Sequence, residues 1–197
     1  MVRNWLLWLT AVLAMGLAWG CSTNPTTKRS QFILLSRDQE VALGAQSKPQ
    51  LVQEFGGEVA RADLRAYVNE VGMRLVQTTA EDDPSLPNLP WEFTLLDSDV
   101  INAFALPGGK VFMSRGLAQL MTNEAQLAGV LGHEIGHVTA RHTNERFSKA
   151  AAAEAGLGIG GALLGSSISA QVVSSLANKG TELALMSYGR GQESESD

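Results

Sequence analysis

The amphipathic pattern is clearest in residues 63–79, where apolar side chains recur every three or four positions with polar residues between them. This period predicts a helix with one face packed on a core. Its apolar members are Leu64, Val68, Val71 and Leu75. An earlier helix is expected to begin at Ser36, which has capping-box spacing to Gln39, and to end at Pro49 or at the Gly56-Gly57 pair.

Short segments of β-type composition follow a proline-rich loop at residues 84–90. The expected strands are 91–96, 102–105 and 110–114. The turn Pro107-Gly108-Gly109 separates the last two. We then expect Asn123 to cap one long helix that runs without proline to about Phe147. The order of elements therefore predicts helices arranged around a few short strands.

The first twenty residues have the pattern of a signal peptide. Their uncharged apolar run of about fifteen residues is shorter than the roughly 20 residues that a bilayer-spanning helix needs. The run ends in Leu17-Ala18-Trp19-Gly20-Cys21, which resembles the lipobox of bacterial lipoproteins. We therefore expect cleavage after residue 20, a lipid on Cys21, and a polar tether over residues 21–35. An ordinary secretory signal cut nearby is the alternative.

Composition limits the partners and directs attention to one short segment. The 197 residues suit one domain, and the net charge of −5 without a basic stripe argues against nucleic acid as a partner. The single cysteine cannot form an internal disulfide. All three histidines fall between positions 133 and 142, a clustering that indicates metal chemistry.

The segment His133-Glu134-Ile135-Gly136-His137 is an HExxH motif. Two side chains four residues apart lie one turn apart on one helical face, so both imidazoles can reach one cation. Glu134 lies close to the same face and is placed to act as a general base rather than as a ligand. Paired imidazoles with an open coordination position suit Zn²⁺ best among the common metals.

A catalytic zinc site needs a third protein ligand. On one straight helix His142 would lie about 180° from His133, so a carboxylate is expected instead. The candidates are Glu145, Glu154, Glu182, Glu193 and Glu195. Glu193 has the best context, because Asp197 one turn later can accept a hydrogen bond from a ligand imidazole, whereas Glu195 is expected to point elsewhere. A solvated acidic tail is the other interpretation of these residues.

Several segments together resemble peptidase family M48, a family of zinc metallopeptidases, and in particular its periplasmic lipoprotein members. They are 102–109, 111–117, 131–138 and 141–142. The resemblance covers residues 36–197, and Tyr188-Gly189-Arg190 with Glu193 and Asp197 is similar to the family's third-ligand segment. It implies an α+β fold: a mainly helical, zincin-like metallopeptidase domain with a small sheet and an HExxH helix.

The same resemblance implies a zinc endopeptidase. One Zn²⁺ per chain would be held by His133, His137 and Glu193, with Asp197 behind them and Glu134 as the general base. The substrate would be a peptide or an unfolded protein of the cell envelope, paired by strand addition with an edge strand. In this chain that strand is Asn102, Ala103, Phe104 and Ala105. Lipid anchoring through Cys21 would place the protein in the bacterial periplasm, and Ser22 in place of aspartate favours the outer membrane.

Two alternatives remain at this point. One is a zinc-binding, chaperone-like partner in outer-membrane protein assembly that has no catalytic role. The other is an inactive truncated product, because the family's oxyanion donor lies beyond the third-ligand segment and leaves Arg190 as a weak candidate. The uncharged segment 155–178 has Gly-xxx-Gly spacings, and we expect it to form packed helices or a lid rather than a membrane helix pair. The oligomeric state is not predicted.

Overall fold

A three-stranded sheet and the helices packed on it form the core of the protein. The computed structural model describes residues 21–154 and 188–197, so the predictions for residues 1–20 and 155–178 lie outside the described residues. The helices are α1 (Arg37–Glu54), α2 (Ala62–Thr78), α3 (Arg115–Ala118), α4 (Glu124–Thr139), α5 (His142–Glu154) and α6 (Arg190–Ser196). The strands are β1 (Cys21–Thr23), β2 (Ser30–Phe32), β3 (Glu92–Leu96), β4 (Ala103–Leu106) and β5 (Lys110–Ser114). The predicted α+β class is confirmed.

The sheet has the strand order β3, β5, β4, with β3 parallel and β4 antiparallel to β5. The predicted turn joins β4 to β5, and Gly108 and Gly109 adopt φ angles of +75° and +84° there, which residues other than glycine rarely adopt. The predicted strand 110–114 is confirmed, and the predicted strand 102–105 lies one residue later, at Ala103–Leu106. The strand β4 is an edge of the sheet and lies against α4.

The main hydrophobic cluster joins α2, the sheet and α4. The predicted amphipathic helix α2 contributes buried valines, and α4 contributes Leu127, Leu131 and Ile135. The helix α1 has the predicted capping box between Ser36 and Gln39. It continues through Pro49 and ends before Gly56 and Gly57, so the glycine pair, and not the proline, marks the end of this segment. Among the described residues no helix combines the length and the apolar character needed to cross a bilayer.

The prediction of a polar tether over residues 21–35 is wrong. Strands β1 and β2 form an antiparallel hairpin that packs on the C-terminal end of α4. Buried Asn24 donates a hydrogen bond from its side chain to the Thr139 carbonyl at 3.0 Å, and buried Gln31 donates to the Ala140 carbonyl at 2.7 Å. The last carbonyls of a helix lack partners within the helix. Asn24 and Gln31 therefore cap a buried helix end instead of facing solvent.

The prediction of one helix from Asn123 to about Phe147 is also wrong. Asn123 does cap α4, accepting a hydrogen bond from the Gln126 backbone, but α4 ends at Thr139. Arg141 then adopts a φ of +58°, and a separate helix, α5, begins at His142. The Arg141 side chain donates to Glu40 at 2.9 Å and to the Leu35 carbonyl at 2.7 Å. These contacts with a distant part of the chain stabilise the left-handed conformation of Arg141 that separates α4 from α5.

Candidate metal centre

The three predicted ligands converge on one point. His133 and His137 lie one turn apart on α4, and Glu193 reaches them from α6. The His133 Nε2 atom is 3.0 Å from His137 Nε2 and 3.1 Å from Glu193 Oε2, and His137 Nε2 is 3.9 Å from the same carboxylate oxygen. These side chains form a group whose ligand atoms all lie within 4.8 Å of one another.

Two features show whether these side chains fit a cation: the hydrogen bond to the other nitrogen of the His133 ring, and the distances between the ligand atoms. His133 Nδ1 is 2.8 Å from Asp197 Oδ1, and a carboxylate oxygen can only accept, so Nδ1 carries a hydrogen. Nε2, which faces His137 and Glu193, is then the ring atom that can present a lone pair to a cation. Tetrahedral zinc with bonds near 2.0–2.1 Å places its ligand atoms about 3.3 Å apart. The separations of 3.0, 3.1 and 3.9 Å bracket that value, and the donor set therefore fits Zn²⁺.

His137 is the most enclosed member of the group, with 1% of its surface exposed. Its ring stacks on Tyr188 with 3.7 Å between the centroids and 15° between the planes. Burial, together with the charges of His133 and His142, lowers the pKa of His137 to about 3. The imidazole is therefore neutral near pH 7, which is the form that binds a metal.

Close contact between two helices brings Glu193 into reach. A Cβ atom placed on Gly136 of α4 would lie 2.8 Å from the Ser196 carbonyl oxygen and 2.9 Å from its Cα on α6. Real Cβ atoms essentially never come this near. Glycine inside the HExxH motif therefore allows the backbone of α6 to lie directly on α4.

Glu134 lies beside the ligand group and is 6% exposed. Its Oε2 atom is buried and has no hydrogen-bond partner among the described residues. Burial raises the pKa of Glu134 to about 7, with the charge of His133 opposing and that of Glu193 adding to the shift. A carboxylate with this pKa can both accept and return a proton near neutral pH.

The predicted substrate strand lies at the sheet edge next to this centre. The backbone N–H of Asn102 donates to Ser114 Oγ, and the carbonyl of Asn102 accepts from the Ser114 N–H. Hydrogen bonding alternates along an antiparallel strand. The backbone N–H and carbonyl of Phe104 therefore also face β5, whereas those of Ala103 and Ala105 face the open edge. The hydroxyl of Thr143 already donates to the Ala105 carbonyl at 3.3 Å. Ala103 therefore presents the more accessible backbone for strand addition.

A groove of about 370 Å³ runs from this edge to the centre. Its walls include Val130, His133 and Glu134 of α4 and the apolar side chains of Ile101 and Leu117. The groove thus joins the open strand edge, an apolar wall and the buried carboxylate.

His142 lies close to the centre, although it was expected about 180° away from His133: its Nδ1 atom is 2.9 Å from His137 Nδ1. The break at Arg141 is the cause of this error, and neither a glycine nor a proline signals that break. Glu195 does not join the ligand group, and its Oε2 atom is 2.7 Å from His142 Nε2. Arg190 is exposed at the first position of α6.

Fold and site together define the class of protein: a zincin-like domain in which an HExxH helix and a carboxylate from a later helix face each other beside a small sheet. Residues 64–197 match peptidase family M48, and the chain belongs to this family.

Relatives from eukaryotes and bacteria share this part of the chain. The mitochondrial metalloendopeptidase OMA1 of Saccharomyces cerevisiae is 33% identical over 135 residues, which cover 64% of this chain and 39% of the relative. Human OMA1 is 32% identical over 125 residues, covering 62% and 24%. The β-barrel assembly-enhancing protease of Escherichia coli K12 is 34% identical over 148 residues, covering 71% and 28%. The matches therefore span between about a quarter and two fifths of the length of these relatives.

Proposed function

We propose that this protein is a zinc-dependent metalloendopeptidase that hydrolyses peptide bonds of cell-envelope proteins, in periplasmic or outer-membrane protein quality control. The observation that carries the proposal is the buried Glu134 oxygen without a described partner, beside three converging ligand atoms. A metal with a purely structural role needs no general base next to it. This arrangement favours catalysis over a chaperone-like role without chemistry.

His133, His137 and Glu193 would hold the metal, with Asp197 orienting His133. Bound Zn²⁺ acts as a Lewis acid that polarises a carbonyl group and makes water a stronger acid. Glu134 accepts the proton of the attacking water and then donates it to the nitrogen of the leaving amine. A pKa of about 7 allows both transfers in one catalytic cycle near neutral pH.

The substrate would bind as an extended strand. Its backbone would pair with the N–H and carbonyl of Ala103 at the open edge of β4, which leads the scissile bond along the groove toward Glu134. The apolar walls at Ile101, Leu117 and Val130 favour an apolar side chain next to the cleaved bond. An extended chain with exposed apolar residues is typical of unfolded protein, and such chains are the proposed substrate class.

The substitution Glu134→Gln tests the proposal, because glutamine keeps the shape and removes the base. We expect the variant to bind one zinc per chain as the wild type does, while hydrolysis of unfolded casein falls to background. Glu124→Gln is the matched control, since Glu124 lies exposed in the first turn of the same helix and its loss should leave hydrolysis unchanged. Retained hydrolysis in Glu134→Gln would refute the assignment of the base.

The proposed location depends on Cys21. Cys21 is the first residue of strand β1, and the hairpin of β1 and β2 packs on α4. A lipid on Cys21 would therefore hold the domain close to the membrane surface without an intervening flexible tether. We expect Cys21→Ala to abolish palmitate labelling and to move the protein out of outer-membrane fractions. A labelled Cys21→Ala variant would contradict the lipid anchor.

A further inference from the structure

The second ligand imidazole is supported differently from the first. Asp197 contacts the His133 ring directly, but His137 is almost fully enclosed. The space behind His137 is filled by the ring of His142, which has 0% exposure. His142 in turn contacts Glu195, so a carboxylate of α6 reaches the deeper ligand through an intervening imidazole.

The positions of the hydrogens in this chain of contacts follow from chemistry. Glu195 Oε2 is an acceptor, so the hydrogen of neutral His142 lies on Nε2, 2.7 Å from that oxygen. His142 Nδ1 is then an acceptor, and His137 Nδ1 at 2.9 Å must donate to it. With its hydrogen on Nδ1, His137 presents the lone pair of Nε2 to the point where His133 and Glu193 converge.

Two further residues, Ser196 and Arg29, hold this arrangement. The Ser196 hydroxyl donates to the Gln192 carbonyl at 3.1 Å, so its oxygen is free to accept from His137 Nδ1, also at 3.1 Å. Arg29 of the hairpin donates to Glu195 at 2.8 Å and to Glu145 at 2.7 Å. The carboxylate of Glu195 is thus fixed between an arginine and a histidine.

We propose that His142 and Glu195 are positioning residues that hold His137 in the Nδ1–H tautomer and in the orientation needed to bind the metal, with Arg29 fixing Glu195. The inference rests on the proposed metal centre, and it adds two residues to that centre. Hydrogen-bond partners of metal-binding histidines typically change metal affinity by about 10–100-fold when they are removed. Glu195 and His142 therefore contribute to affinity although neither is a ligand.

The experiment measures zinc binding by the purified protein in competition with a chromogenic chelator at neutral pH. We expect His142→Leu, which removes both contacts, to bind zinc at least about 10-fold more weakly than the wild type. His142→Gln should fall between them, because its amide can both accept from His137 and donate to Glu195. Ser148→Ala is the matched control: Ser148 is equally buried on α5 but contacts Leu34 and Asn144, so its loss should leave the affinity unchanged.

A spectroscopic measurement separates positioning from simple destabilisation. Nitrogen-15 NMR of the metal-free protein distinguishes the two ring nitrogens of each of the three histidines. We expect His137 to carry its hydrogen on Nδ1 in the wild type and to shift toward the Nε2–H form in His142→Leu. A His142→Leu protein that keeps the Nδ1–H form, or that binds zinc like Ser148→Ala, would overturn the proposal.

Glu195→Ala covers the case in which His142→Leu fails to fold. Glu195 lies near the surface, so its truncation leaves the core intact, and we expect the same loss of affinity and the same shift of the His137 hydrogen. An unchanged affinity in Glu195→Ala would overturn the proposal as well. Failure of the wild type to bind zinc would instead refute the metal centre, whereas the tautomer of His137 can be measured without any metal.

Discussion

The close approach of α6 to α4 leads to a sharp prediction at Gly136. Both Gly132 and Gly136 lie within α4, and replacing either by alanine favours the helix by about 1 kcal/mol. The two positions differ in how close a new Cβ atom would lie to neighbouring atoms. At Gly132 it meets nothing within 4 Å, whereas at Gly136 it lies 2.8–2.9 Å from backbone atoms of Ser196.

The size of the disturbance follows from these distances. Ordinary contact begins at 3.4 Å, so Gly136→Ala must push the backbone of α6 away by about 0.5 Å. Glu193 lies on the same short helix and must move with it. Zinc–ligand bonds tolerate deviations of about 0.2 Å, so this displacement takes the carboxylate out of bonding range. We expect a zinc affinity at least about 10-fold lower than that of Gly132→Ala, comparable to the loss of a partner of a ligand histidine.

Chelator competition and urea unfolding of the metal-free protein test this prediction together. Gly132→Ala should unfold at a higher urea concentration than the wild type and bind zinc equally well. Gly136→Ala should gain less stability or none, because the clash offsets the helix preference, and it should bind zinc weakly. Equal zinc affinities for the two alanine variants would refute the argument that α6 must touch Gly136 for Glu193 to reach the metal.

Two further predictions concern the stability of the elements around the centre. Burial alone would raise the pKa of Glu145, but hydrogen bonds from Arg29 and Lys149 hold it at about 2. The ionised carboxylate therefore stabilises the fold above its unfolded pKa near 4.3, and this contribution is lost as the pH falls toward 2, by up to about 1.4 kcal/mol per pH unit. Urea unfolding at several pH values should show a weaker acid dependence in Glu145→Gln, and an unchanged dependence would contradict the ion pair. Gln31→Ala leaves the Ala140 carbonyl without this donor and should cost about 1–3 kcal/mol in thermal unfolding; a cost near zero would mean that the hairpin does not cap α4.

The elements that the sequence predicts correctly are those with local causes. The capping box at Ser36 and the glycine turn at Gly108-Gly109 depend on residues a few positions apart, and the structure has both. The two histidines of the HExxH motif lie on one helix, so the helical period places them on one face, where their Nε2 atoms are 3.0 Å apart. These features can be predicted because the residues that cause them lie close together in the sequence.

The errors have long-range causes. The polar residues of the hairpin are typical of a tether, and only the buried end of α4, more than 100 positions later, gives Asn24 and Gln31 their partners. In the same way nothing near Arg141 predicts a helix break, because its partners Glu40 and Leu35 also lie more than 100 positions away. A polar pattern shows that a segment can be solvated, but it cannot show that a helix end elsewhere needs its hydrogen bonds.

The break at Arg141 joins the fold to the chemistry of the centre. A left-handed backbone costs a residue other than glycine about 1–2 kcal/mol, and here the Arg141 side chain offsets that cost through its ion pair with the buried Glu40 carboxylate and its bond to the Leu35 carbonyl. On a continuous helix His142 would lie on the face opposite His133. The break turns α5 so that His142 faces His137 instead. The strained backbone at Arg141 thus determines which histidine lies behind His137, the deeper of the two proposed histidine ligands.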